Sequence, residues 1–279
     1  MAKQTRLASL RIWQLATCTV LAAVLGACSS MPQPYSSPSA ETSASVAAAA
    51  PTSVVRSTLG TQWGEGRESR VHTINATRVT PDQAQDVQQL RYSDENSIRN
   101  ALGARAESQL SVLLARGDVE WRITGDNGQT LRIYRDGAGN YQLAGYSGMR
   151  YELQLSNHSN RVYEVVATVD GLDVMNGEPG SLRNMGYILR PGSKITIDGF
   201  RRSNQEVAAF RFSGKGNAYA ANTPAGDSRN IGVIGVALFE TRLDESEPAR
   251  RYQAPQRGGA PDPFPADRGS YAQPPQYRR

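Results

Sequence analysis

The sequence predicts a mainly β protein: an antiparallel β-sandwich or open barrel, with one or two short N-terminal helices and disordered segments at both ends. Three observations predict it. Between Met149 and Val169, every second residue is apolar along two runs joined by a polar turn. From Val119 onward, short β-rich runs are separated by Gly, Pro and Asn turn signals. Nowhere do strands and helices alternate in the way that builds a parallel sheet.

The folded part is read as one domain, 59–245. Its first third, 55–118, is polar. Arg70–Val79 is a strand candidate, and Pro81-Asp82 opens a predicted helix over 82–90 with Val87 and Leu90 as its apolar contacts. Ser97–Ala115 reads helical in parts. There Ile98, Leu102, Leu110, Leu113 and Leu114 form an imperfect 3.6-residue stripe that Gly103 interrupts. From Val119 the period becomes two. Val119–Ile123, Thr130–Tyr134 and Asn140–Leu143 read as strands, with Asp126-Asn127-Gly128 and Asp136-Gly137 as turns. Met149, Tyr151, Leu153 and Leu155 then alternate with Arg150, Glu152 and Gln154. After Ser156–Asn160 come Tyr163, Val165, Ala167 and Val169, so 149–169 is predicted to be a hairpin with one buried face. Gly186–Leu189, Lys194–Ile197, Glu206–Phe212 and Ile231–Phe239 complete the strands. The last is apolar on both faces, which predicts a central strand. Gly232 and Gly235 predict a bend or a close approach within it.

The N-terminus carries an address. Lys3, Arg6 and Arg11 precede the first acid, Glu41, and Ile12–Ala27 is mostly apolar, which is the layout of a secretory signal. A membrane span needs about 20 apolar residues; this run is shorter and includes Gln14, Thr17 and Thr19. At its end, Leu25-Gly26-Ala27-Cys28 resembles the lipobox of bacterial lipoproteins: an aliphatic residue, two small ones, then Cys. Cys18 fits less well, with a β-branched Thr17 before it and a position inside the apolar run.

The resemblance implies removal of 1–27 and lipid attachment at Cys28, with a thioether diacylglycerol and an amide-linked third chain. Two or more chains anchor stably, since each buried CH₂ contributes about 0.8 kcal/mol. Ser29, rather than Asp, favours the outer membrane. The mature chain would then have no free thiol, hence no disulfide and no Cys-based metal site. Residues 28–58 follow as a stalk: of the 26 residues 29–54, 20 are Ser, Ala, Pro or Thr, too little apolar side chain to form a core. As a coil, the stalk would span roughly 30 Å.

Charge narrows the partners. The formal net charge is +5, but three cations lie in the signal and the stretch after Ala249 carries a net +4, so 28–249 carries −2. The basic balance is therefore no argument for nucleic acid. The tail, 246–279, is rich in Pro, Arg, Gln and Gly and is predicted disordered. Its Arg and Tyr residues could hold an anionic envelope polymer or another protein.

Motifs for chemistry are sparse. The two histidines, His72 and His158, lie far apart, and neither HExxH nor CxxC occurs, so no metal or other cofactor is expected. There is no GxSxG, and Gly214-Lys215-Gly216 lacks the rest of a phosphate loop. Asp136–Asn140 lacks the spacing and closing Glu of a calcium loop. Asp170 and Asp173 could form a carboxylate pair, but they bracket Gly171-Leu172 and read as turn residues.

The candidate binding surface is 170–212, where a long loop, Gly171–Met185, is followed by Gly199–Ser203. It groups Arg183, Arg201 and Arg202 with Glu178 and Glu206. Trp63, an isolated aromatic in a polar stretch, is either a contact residue or the anchor of its segment on the core. The phrases at 60–65, 169–180 and 186–220 together resemble a broadly distributed, uncharacterised class of bacterial proteins, which implies one unit over about 60–240 and no particular catalytic residue. The expected function is a non-enzymatic binding or scaffolding module of the envelope. The alternatives are a cell-wall or glycan hydrolase using paired carboxylates, and a bridge between envelope layers through stalk and tail.

Overall fold

Tyr151, Leu153, Leu155, Tyr163, Val165, Ala167 and Val169 all point into one core, as their period of two predicts. The computed structural model describes residues 56–103, 106–244 and 271–277. The stretch read as a signal, most of that read as a stalk, with Cys28, and residues 245–270 lie outside the described residues.

In chain order the elements are β1 (Leu59–Glu68), β2 (Ala76–Arg78), β3 (Asp86–Asp94), α1 (Glu95–Leu102), β4 (Ser108–Gln109), β5 (Val112–Leu114), β6 (Val119–Gly125), β7 (Ile133–Arg135), β8 (Tyr141–Gly145), β9 (Arg150–Asn157), β10 (Val162–Val169), β11 (Leu172–Asp173), β12 (Tyr187–Leu189), β13 (Lys194–Ile197), β14 (Gly199–Arg201), β15 (Glu206–Gly214) and β16 (Val233–Leu243). They form a mainly antiparallel β-sandwich. One sheet runs β1-β15-β9-β6-β5, with β13 also on β9 and β14 also on β15. The other runs β11-β10-β16-β3-β8-β7-β4, with β12 also on β10 and β2 also on β16. One apolar cluster fills the space between them. Trp121, Tyr151, Phe210 and Phe212 reach it from the first sheet and Leu90, Tyr92, Val165 and Leu238 from the second. A fully buried side chain of this kind contributes about 1.5–3 kcal/mol.

β16 is central, as its two apolar faces predict. Ile234, Val236 and Leu238 enter the main core, while Ala237 and Phe239 form an outer cluster with Val166, against which Ala84 packs. Gly232 opens this strand at φ +93, and a Cβ there would lie 2.1 Å from Ser57 Oγ, so both conformation and space require glycine.

Several expectations are corrected. The predicted hairpin over 149–169 does not form: β9 and β10 lie in opposite sheets. Alternation fixes which face a strand buries, not which strand lies beside it. Residues 158–161 instead cross the sandwich, held by Asn157, whose Nδ2 donates to Arg161 O (2.7 Å) and Leu189 O (3.3 Å). The helix predicted over 82–90 is largely strand β3. Leu90 and Tyr92 face the core and Val87 faces outward, a period of two that Gln88 and Gln89 mask. β3 pairs with β8 in parallel, an exception among the otherwise antiparallel strand pairs of the described residues.

Of the helical reading at 97–115, only α1 forms. Asp94 caps it by accepting from Ser97 N (2.9 Å), and Gly103 at φ +84 ends it. Beyond it, Val112 and Leu114 are buried while Leu113 is exposed, again a period of two. β1, ten residues of the segment read as polar, carries no prediction from alternation and becomes an edge strand along β15. Within the tail read as disordered, residues 271–277 are ordered against the domain, with Ala272 buried in the core.

Candidate functional site

The end of the sandwich that carries the 171–185 loop is built on two buried joints. The first is Asp170. Asp170 and Gly171 connect β10 to β11 with both φ values positive (+54 and +79), as a two-residue type I′ turn requires. This aims the Asp170 carboxylate inward. Its Oδ2 accepts from Thr61 N (2.8 Å), and its Oδ1 accepts from Gly232 N (2.8 Å) and the Tyr92 hydroxyl (2.6 Å). The chain of hydroxyls continues from Tyr92 to Thr61 (2.7 Å) and from Thr61 to Tyr151 (2.6 Å). Proton donation running from Tyr151 through Thr61 and Tyr92 to Asp170 gives every hydroxyl one donor bond. β1, β3, β9, β10 and the start of β16 meet at this one carboxylate. Burial pushes the Asp170 pKa up to about 6, against the pull of its hydrogen bonds. Burial also raises Tyr92 and Tyr151, the Asp170 charge adding to it.

The second joint is Arg201, on β14. It is 1% exposed. Its Nη1 donates to Ser69 O (2.6 Å) and Ser203 O (3.4 Å), Nη2 to Ser69 Oγ (3.1 Å) and Nε to the Tyr187 hydroxyl (3.2 Å). Its main chain bonds Val174 O through N–H (2.8 Å) and accepts from Ala272 N (3.0 Å). Arg201 therefore fastens the exit of β1, the long loop and the C-terminal segment together. Burial pushes the Tyr187 phenol up, and the Arg201 charge opposes that shift.

The long loop is itself clamped. Asp173 Oδ1 accepts from Met175 N (2.8 Å) and Asn176 N (3.2 Å), and burial raises its pKa. Arg78, from β2, lies over the Phe239 ring (3.7 Å to the centroid) and makes a two-pronged pair with Glu164 (2.7 and 3.1 Å). It also donates to Leu182 O (2.6 Å) and Asn184 O (2.5 Å), while Glu164 Oε1 accepts from Gly186 N (2.7 Å). A lysine has neither the fork nor enough donors for this set. Arg78→Lys is expected to lower stability by about 2–3 kcal/mol and to speed amide exchange across 182–186, measured by urea unfolding and hydrogen exchange. Unchanged exchange there would show that the loop holds itself.

The surface residues singled out in the sequence do not form one patch. Arg183 is exposed and pairs with Asp82 (3.6 Å). Arg202 and Glu206 form a half-exposed pair (2.7 Å) beside Gly66. Arg201 is removed from solvent altogether. Trp63 is half-buried, stacked on Phe200 (6.2 Å, 7°) and tilted against Tyr219 (4.9 Å), which makes it the anchor of β1 at this end. Both histidines are exposed, and His158 Nε2 lies 3.6 Å from Glu120 Oε2. Among the described residues, no group of three His, Cys, Asp or Glu side chains is placed to hold a metal ion. Cys28 lies outside the described residues.

Sequence reasoning missed the C-terminal segment, Tyr271–Tyr277. Its signal was two tyrosines bracketing Ala-Gln-Pro-Pro-Gln, in which the prolines favour an extended chain. No helix among the described residues is long and apolar enough to cross a membrane. Comparison with protein-family models, curated proteins and solved structures finds no match for this chain.

Proposed function

We propose that the chain is a lipoprotein of the bacterial envelope, anchored in the outer membrane through Cys28, whose β-sandwich acts as a non-enzymatic binding module. The observation that carries this reading is the preorganised loop end. Arg78, Asp170, Asp173 and Arg201 hold its loops before any ligand arrives, which lowers the ordering entropy of binding. The anchor is supported by Leu25-Gly26-Ala27-Cys28 behind a basic and then apolar leader.

The hydrolase alternative draws little support from its candidate acids. Asp170 has both oxygens engaged by three donors, and Asp173 is buried within the loop it shapes. The bridging alternative is weakened by the return of 271–277 to the domain.

Cys28→Ala is the test of the anchor. The variant is expected to move from the membrane pellet to the soluble fraction and to lose fatty-acid labelling; persistent labelling overturns the anchor. In the same cells, crosslinking in intact envelopes tests the module. Arg183→Glu with Arg202→Glu should lower capture of a recurrent envelope component at least 10-fold. Equal capture overturns a role for these loops.

A further inference from the structure

The loop end of the sandwich already carries a peptide. Residues Tyr271–Tyr277 (YAQPPQY) return to it after 26 intervening residues, 245–270. Their bonds are mostly to main chain. Ala272 N donates to Arg201 O (3.0 Å), Gln276 N donates to Asn222 O (2.8 Å), and Gln273 O accepts from the Tyr219 hydroxyl (2.7 Å). The Tyr271 hydroxyl donates to Asn204 Oδ1 (2.8 Å). One side chain is sunk: Ala272 is 4% exposed. Its pocket exists because residue 177 is glycine at φ +71. A Cβ on Gly177 would lie 2.9 Å from both Ala272 Cβ and Tyr219 Oη. The floor is rigid, built on the Trp63–Phe200–Tyr219 rings and the buried Arg201.

Main-chain hydrogen bonds for affinity, one small pocket for selection and proline for a pre-extended ligand are the elements of peptide recognition by a groove. The seated segment is short, and Ala272 is its one buried side chain. Such a contact is weak as a free peptide and is favoured here because it is made within one chain.

We infer that this groove is a binding site for extended, proline-containing polypeptide segments with a small residue at the anchor position, and that the chain's own C-terminus is its resident, displaceable ligand. The inference rests on the binding-module reading and names its partner class: an unfolded Ala-Gln-Pro-Pro-like stretch of another envelope protein.

The test uses the full lipoprotein in detergent, a variant ending at Ser270, and a synthetic peptide of residues 270–279 as the probe. Trp fluorescence and calorimetry read binding. The truncated chain is expected to bind the peptide. The intact chain should bind it at least 10-fold more weakly, because its own tail competes. A peptide with Ala272→Glu, whose carboxylate cannot enter the Gly177 pocket, should bind at least 10-fold more weakly than the natural one. Should truncation impair folding, full-length Ala272→Glu serves in its place, with the tail present but unseated.

A cooperatively folded truncated or Ala272→Glu chain that ignores the peptide overturns the inference, as does equal binding to the intact chain. Excess peptide added to envelopes separates the two readings. If the peptide binds the groove while no envelope component is captured at all, the groove stands and the module reading falls. If capture persists without peptide binding, the module stands and the groove falls.

Discussion

Asp170→Ala is expected to lower the stability of the domain by about 3–5 kcal/mol at pH 7. The substitution strands three buried donors, the N–H groups of Thr61 and Gly232 and the Tyr92 hydroxyl, each costing about 1–3 kcal/mol when left unpaired. It also places Ala at φ +54, a further cost of about 1–2 kcal/mol. Relief of a buried charge offsets part of this sum. Asp170→Asn separates these contributions. Asn tolerates the same backbone conformation and keeps one acceptor oxygen, but its amide group sets a donor against a donor, so about 1–3 kcal/mol should be lost.

The charge itself has a pH signature. The Asp170 pKa is raised in the folded state to about 6, against about 3.9 for an unfolded Asp, so the folded state holds the proton more tightly. The stabilising contribution of the protonated form is complete below about pH 4 and is lost as pH rises through about 6, roughly 3 kcal/mol in all. Other carboxylates act in the opposite sense: the Arg211 and Arg150 guanidiniums hold Glu65 down to about 2. The comparison must therefore be a difference. Urea unfolding of wild type minus Asp170→Asn, measured from pH 4 to 8, should slope downward between 4 and 6 and flatten above. A flat difference across the whole range would sink the assignment.

The second large effect is expected at Arg201. Arg201→Met should lower stability by about 3–5 kcal/mol, since it leaves Ser69 O, Ser203 O and the Tyr187 hydroxyl without their buried donor. Its neighbour makes the control: Arg202→Ala removes a half-exposed pair and should change stability by no more than about 1 kcal/mol. Hydrogen exchange gives a second readout. Arg201→Met should speed exchange at the amide of residue 201 itself and at Ala272 together, because Arg201 N donates to Val174 O and Ala272 N to Arg201 O. Equal effects of the two arginine substitutions would show that Arg201 is not a joint.

These two neighbours also show where sequence reasoning stops. Arg201 and Arg202 are indistinguishable in a string, yet one is a buried fastener and the other a surface charge. The difference arises from β14 turning its closing arginine toward Ser69 and Tyr187, residues more than a hundred and 14 positions away. What was legible were the strands whose buried faces carry apolar side chains, such as β9, β10 and β16. β3 was hidden because Gln88 and Gln89 interrupt its pattern, and β1 because polar Thr61 separates Leu59 from Trp63 on its core face while glycines and polar residues fill the rest of the strand. Pairing was less legible than face: the alternation at 149–169 is the same for a hairpin and for two strands facing each other across a core. The Asp170 turn was legible as a turn, while its role as a hub depends on Thr61, Tyr92 and Gly232, which only the folded chain brings together.

The pairing of β1 with β15 has a consequence for how the molecule is made. Trp63 lies opposite Phe210, so the first strand waits for a partner almost 150 residues later in the chain. The other sheet is completed later still, since β3 and β10 both flank β16, the last of the described strands. Where the chain is delivered from its N-terminus onward, most strands emerge before their neighbours do. Pairings this distant close slowly, and the exposed edges of β1, β3 and β10 are open to wrong partners meanwhile. The protein's vulnerable period is thus the interval before the whole chain is free to fold, and it ends only when β16 slides into the middle of its sheet.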